Sequence, residues 1–255
     1  MRLVVKVGTS TLAYPSGRLN IRHIESLCRV LSDLKNQGHE IILVSSGAIG
    51  MGVGKLSLKN RPSDIPTRQA AAAVGQCELM YTYDKLFSEY NHVAAQLLIT
   101  NSVVDNEEMN RNFKNTINRL LELEVIPVIN ENDTVATKEI EIGDNDTLAA
   151  IVTSLTEADL LILLSDIDGL YTGDPRKEND ATLIKEITEI TDDIISIAGG
   201  AGSENGTGGM QTKIHAAQIC MEAGCDMVIA NGSDPNLIYD ILDGKDIGSR
   251  FIGKR

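Results

Sequence analysis

The chain has 255 residues, 42% of them apolar but only 4% aromatic, with no tryptophan. That is enough for a large core of Val, Ile, Leu and Ala, in one sizeable α/β domain or two small ones. A formal charge of −13 argues against partners gripped through a broad basic surface, namely nonspecific nucleic acid and membrane, but leaves small anionic substrates open.

Taken in order, "RLVVKV" (2–7) is β-branched and reads as a strand. Ile21, Ile24, Leu27, Leu31 and Leu34 follow at helical spacing, and Gly38 stops that helix. "EIILVSS" (40–46) is a strand apolar throughout, as expected when both faces are buried. A helix starts near Pro66 and runs through "RQAAAAVGQCELMYTYDKLF"; "HVAAQLLIT" (92–100) is a strand. Met109, Phe113, Ile117 and Leu120 stripe the next helix, and "VIPVIN" (125–130) is a strand. "TVATKEIEIG" (134–143) alternates like a hairpin; Leu148, Ile151, Val152 and Leu155 stripe a helix; "DLLILLS" (159–165) is a buried strand. A turn-rich stretch, "DIDGLYTGDP", and a Gly-rich one, "AGGAGSENGTGG", come next. "MQTKIHAAQICMEAG" is helical, "DMVIANG" a strand, "PNLIYDIL" a short helix and "GSRFI" a last edge strand.

Alternating strands and helices without a linker predict a single α/β domain over 1–255, a three-layer αβα sandwich around an open, mainly parallel sheet. Ligands bind beyond the carboxyl ends of such strands, where most polar and Gly-rich segments here fall. Cys28, Cys77, Cys220 and Cys225 form no C-x-x-C pair and read as buried, reduced thiols of a cytoplasmic protein. The four histidines lack zinc-ligand spacing. Met1 leads almost directly into a strand, so no signal peptide is expected, and the longest apolar runs are too short to span a bilayer.

Several polar groups ask for a ligand. Lys6 sits inside a β-branched strand, where a buried ammonium is costly unless paired. The plainer reading is an edge strand with Lys6 in solvent, but "GTS" follows at once, and such small residues let a ligand approach the backbone. In "VSSGAIGMG" (44–52) a strand ends on Ser45-Ser46-Gly47 and enters a helix, whose free N–H groups bind anions unless this is only a turn. Asn130, Glu131, Asn132 and Asp133 follow one strand; Asp144, Asn145 and Asp146 precede a helix. Capping needs one residue there, not three, so the surplus suggests a site for a positive or hydrogen-bonding group such as an amino acid's ammonium. Asp166 and Asp168 could attract Mg²⁺ or simply solvate a loop, and Tyr171 could pack against a base. In "GTGGMQTK" (206–213) the glycines can wrap phosphate oxygens at a helix start and Lys213 adds a full charge, although the spacing is not that of a P-loop. Two lysines and no metal cage suit phosphoryl transfer.

"VVKVGTS", "VSSGAIGMG", "NENDTVA", "GDNDTLAA", "LLSDIDGLYTGDP" and "GTGGMQTK" resemble, in order and spacing, the amino acid kinase family, and "NEND" with "GDND" resembles its glutamate 5-kinase branch. The resemblance implies ATP-dependent phosphorylation of the side-chain carboxylate of L-glutamate, with Mg²⁺ arriving on ATP. It places amino acid binding mainly in the N-terminal half and ATP binding mainly in the C-terminal half. It implies that Lys6, Lys213 and Asp146 carry the chemistry, the aspartate holding the lysines. Ser46, Gly47, Asp133 and Asn145 would bind glutamate. Lys6, Gly8, Ser165, Asp166 and Thr207, Gly208, Gly209, Met210, Gln211, Thr212 and Lys213 would contact ATP. A homo-oligomer and feedback inhibition by proline are family expectations. Many members carry a C-terminal domain of the RNA-binding kind, which has no counterpart before Arg255. Ser165 stands where Thr is common, and "SEN" before Gly206 departs from the pattern. The competing readings are a kinase of the same fold acting on acetylglutamate, aspartate, carbamate or a nucleotide, and a ligand sensor without catalysis. The intact lysine pair argues against the sensor.

Overall fold

A computed structural model describes all residues except 15, 17, 101, 137–143, 176, 179, 201–208 and 255. The first half runs β1 (Arg2–Val7), α1 (Thr9–Leu12), α2 (Ile21–Asn36), β2 (Glu40–Ser45), α3 (Ala48–Lys55), α4 (Ile65–Ser88), β3 (Ala94–Ile99), α5 (Ser102–Asp105), α6 (Glu107–Glu122) and β4 (Ile126–Glu131). The second runs α7 (Asn145–Leu155), β5 (Leu160–Ser165), β6 (Glu186–Ile187), α8 (Asp192–Gly200), α9 (Met210–Glu222), β7 (Asp226–Asn231), α10 (Leu237–Leu242) and β8 (Ser249–Phe251).

One eight-stranded sheet has the order β3-β4-β2-β1-β5-β7-β8-β6, parallel except where β8 runs against β7. Strand alternation divides the core in two. Leu3, Val5 and Val7 of β1 join Leu43, Ile162 and Leu164 against α2, α4 and α10. Val4, with Val44, Leu161 and Leu163, faces α6, α7 and α9. The result is the expected αβα sandwich, because each continuously apolar strand must be covered on both faces.

β1 lies at the centre of the sheet, between β2 and β5, with Lys6 paired to Val44 and Leu163. The edge-strand reading of Lys6 is therefore wrong. Alternation puts Lys6 on the face of Val4, toward α7. The expectation of a final edge strand also fails: β8 pairs with both β7 and β6, and the two-residue β6 forms the edge. The stretch expected to be Gly-rich loop begins inside α8. In α6 the buried stripe is Phe113, Ile117 and Leu121, while Met109 is exposed. The proposed hairpin lies largely outside the described residues; 133–135 form a turn. Three cysteines are buried as expected, but Cys77 is exposed.

Helices α3 and α4 cross with their backbones in contact. A Cβ at Gly75 would lie 1.7 Å from the Ala48 carbonyl oxygen, and one at Gly52 1.8 Å from that of Ala71. This close approach, possible only without side chains, fixes the start of α3 against α4.

Candidate active site

Four long helices start on a side chain that closes their first turn: Asn20 for α2, Asp64 for α4, Asn106 for α6 and Asp144 for α7. Three helices instead start on glycine with no side-chain cap: Gly8 for α1, Gly47 for α3 and Gly209 for α9. Gly8 follows β1 directly, and Gly47 lies two residues beyond β2. The left-handed φ of +106° at Gly47 is what turns the chain from β2 into α3. Glycine at these starts lets a ligand approach the first-turn backbone, where the helix dipole favours an anion.

The three polar residues at the start of α7 divide the work. Asp144 is the cap: Oδ1 accepts from the N–H groups of Asp146 and Thr147 at 2.8 and 2.9 Å, and Oδ2 from the Thr147 hydroxyl at 2.8 Å. Asp146, freed from capping, turns inward and is 1% exposed. Lys6 Nζ lies 2.6 Å from its Oδ1 and Lys213 Nζ 2.9 Å from its Oδ2. The Oδ1 contact is an ion pair without good hydrogen-bond alignment. Thr212 Oγ1 is 3.2 Å from Asp146 Oδ2 and 2.8 Å from the Gly209 carbonyl oxygen, and its single proton serves one of them at a time. Burial alone would raise the Asp146 carboxyl; the two ammonium groups more than offset it and hold it at about 2. The bracket thus brings two ammonium groups onto one buried carboxylate.

Asn145 reaches the other way. Its Nδ2 donates to Ser46 Oγ at 2.8 Å and to Asn130 Oδ1 at 3.0 Å. Asn130 Nδ2 donates to Gln76 Oε1 at 3.0 Å. Side chains from the ends of β4 and β2 and from α4 and α7 therefore form one amide network beside the lysine bracket. Asp133 sits half-buried in the turn after β4 and Gly47 at the start of α3.

Beyond β5 and β7 lies a cavity of about 400 Å³, lined among others by Asp166, Asp168, Tyr171, Met210, Lys213 and Asn231. Lys213 belongs to both this cavity and the bracket, and so joins them. Asp168 Oδ1 accepts from Asn231 Nδ2 at 2.8 Å and Oδ2 from the Tyr171 hydroxyl at 2.9 Å. Gly209 also lines the cavity. Ser165 is set back and its hydroxyl is 3.2 Å from Asp166 Oδ1. Gly8 adjoins Lys6: a Cβ there would be 3.7 Å from the ammonium. Gln211 is exposed and lines neither the cavity nor the bracket. Thr207 and Gly208 lie outside the described residues. Sequence reasoning did not single out Gln76, nor Asn130 as the hub. The surplus of amides in "NEND" was the available signal for Asn130; an Ala-rich helix offered none for Gln76.

The match to known proteins follows this geometry. The model of the amino acid kinase family matches residues 1–231. A glutamate 5-kinase of Clostridium perfringens strain 13 is 54% identical over all of this chain and 96% of its own length. One of Listeria monocytogenes strain EGD-e is 53% identical, over 100% and 94%. Among solved structures, a carbamate kinase from Giardia lamblia bound to AMP-PNP superposes with a TM-score of 0.69 at 15% identity, covering 99% of this chain and 98% of that one. Identity that low speaks for the fold alone, whereas the sequence matches extend through every segment of the site. The chain belongs to the amino acid kinase family, and to its glutamate 5-kinase branch.

Proposed function

We propose that the chain transfers the γ-phosphoryl group of ATP to the side-chain carboxylate of L-glutamate, giving γ-glutamyl phosphate for proline biosynthesis. The observation that carries this is the bracket: Lys6 from β1 and Lys213 from α9 meet on one buried carboxylate, between a cavity and an amide network. The attacking carboxylate is ionised at neutral pH and needs no general base. The obstacle is the approach of two anions. Lys6 and Lys213, with backbone N–H groups at Gly8, Gly47 and the start of α9, supply the positive potential that lowers it.

Asp146 is a positioning residue on this reading. It fixes both ammonium groups before substrate arrives, so little reorganisation remains for the transition state. Ser46, Gly47, Asn145 and Asp133 hold the amino acid, Asp133 serving its ammonium. Asp166, Met210, Thr212 and Lys213 hold the nucleotide, with Tyr171 beside the base. Mg²⁺ supplies charge neutralisation on the phosphates when bound. Among the described residues no group of three or more His, Cys, Asp or Glu could hold a metal ion, and the Asp168 carboxylate already accepts two donors. The ion comes with the triphosphate and keeps its waters, near Asp166. A homo-oligomer, inhibition by proline and a cytoplasmic location are part of the same proposal; no helix among the described residues is long and apolar enough to cross a membrane.

The test is hydroxylamine trapping of the acyl phosphate with Mg-ATP and L-glutamate, beside N-acetylglutamate, aspartate and UMP. Hydroxamate that depends on glutamate is expected. Product from another acceptor, and none from glutamate, would overturn the substrate assignment while leaving the bracket.

A further inference from the structure

The amide network has a fixed polarity. The Glu131 backbone N–H donates to Asn130 Oδ1 at 2.9 Å. A backbone N–H can only donate, so that atom is the oxygen and Asn130 Nδ2 must donate. Its target, 3.0 Å away, is therefore Gln76 Oε1. The other end of the Gln76 amide, Nε2, is then a donor. It is buried and has no hydrogen-bond partner among the described residues, on a side chain only 6% exposed. Buried donors are almost always paired in folded proteins, and one left over in a site invites a ligand acceptor.

The placement agrees. Gln69, Gln76 and Tyr83 recur every seven residues, two helical turns, on one face of α4. Gln69 Nε2 donates to the Ala136 carbonyl oxygen at 3.3 Å, and the Tyr83 hydroxyl lies 2.8 Å from Ser45 Oγ. This face of α4 therefore borders the end of β2, the end of β4 and the turn beyond it, where Ser46, Asn145 and Asp133 are. Among the described residues Gln76 has no hydrogen bond to the lysine bracket, which must receive the reacting carboxylate.

We propose that Gln76 Nε2 donates to the non-reacting, α-carboxylate of the amino acid acceptor, making Gln76 a specificity-determining residue. The proposal rests on the glutamate kinase reading. Substrates lacking an acceptor oxygen at that point leave the buried donor unpaired, and are rejected for that reason.

The test is Gln76→Glu, which keeps the oxygen that Asn130 needs and replaces only the donor, now facing the carboxylate with a carboxyl. KM should rise at least tenfold for L-glutamate and less than threefold for L-glutamate α-amide, whose amide can donate to the new carboxyl. KM for ATP should stay within twofold. Should Gln76→Glu not fold, Gln76→Met is read for the same glutamate-over-ATP split. An unchanged glutamate KM, or equal rises for glutamate, its α-amide and ATP, would overturn the proposal. No glutamate-dependent product from the unmodified chain would instead remove the acceptor reading, and this proposal with it.

Discussion

Replacing Asp146 with Asn keeps the shape of the bracket and deletes the negative charge between its two lysines. Lys6 and Lys213 are 12% and 6% exposed and both pair with that carboxylate. Removing one member of a buried pair costs about 3–5 kcal/mol, because the charge left behind is uncompensated. The lower end applies here, since Lys6 retains some access to water. At about 2–4 °C per kcal/mol for a chain of this size, Asp146→Asn should melt about 10 °C below the parent at pH 7. The two ammonium groups left without that carboxylate now disfavour the folded state. Mg-ATP should raise the variant's midpoint more than the parent's, because phosphate replaces the lost carboxylate as counter-charge. The assay is a thermal melt at pH 7, with and without nucleotide. A midpoint within about 2 °C of the parent, or an equal gain from nucleotide in both, would contradict the bracket.

The parent should lose stability in acid. Asp146, held at about 2 in the folded chain, gives stability that is present above its ordinary range near 4. That stability, about 2 kcal/mol, is lost as pH falls from there toward 2, and melts over pH 2–5 should be flatter for Asp146→Asn than for the parent. Asp144→Ala removes a cap with three accepted hydrogen bonds; it should cost about 1–2 kcal/mol in a denaturant titration. Asp133→Ala should raise the glutamate KM about tenfold or more with little change for ATP, and equal losses for both would point to a collapsed site. Gly75→Ala puts a methyl 1.7 Å from the Ala48 carbonyl oxygen; it should lower the midpoint by several degrees and raise the glutamate KM, since the Ser46–Gly47 turn must shift.

What the sequence made legible follows from the range of the forces involved. Continuous apolar runs identify strands buried on both faces, so β1, β2, β4, β5 and β7 could be read before their order was known. β6 and β8, two and three residues long, carry no periodic signal: β8 reads as the edge strand, and β6, the actual edge, is not legible at all. Lys6 posed the right question but left two answers, since burial depends on sheet order that no local pattern encodes. The three polar residues at the start of α7 signalled a surplus beyond capping. Which of them caps, which turns inward and which reaches Ser46 needed the packing of α7 against β1 and β2. Gln76 was invisible because its meaning lies in a contact 54 positions away, in an Ala-rich helix whose local pattern gives it no role.

On the proposed mechanism the two lysines act as one unit. The measurement is the rate of acyl phosphate formation, with glutamate and Mg-ATP both saturating, for Lys6→Ala, Lys213→Ala and the double variant. The bracket predicts that each single change lowers kcat by about 10²–10³-fold or more with much smaller changes in glutamate affinity. The double variant should lose little beyond the worse single one, as groups that act together do. A Lys213→Ala enzyme that turns over at the parent rate would contradict it, because Lys213 both lines the cavity beyond β5 and β7 and pairs with the carboxylate of Asp146.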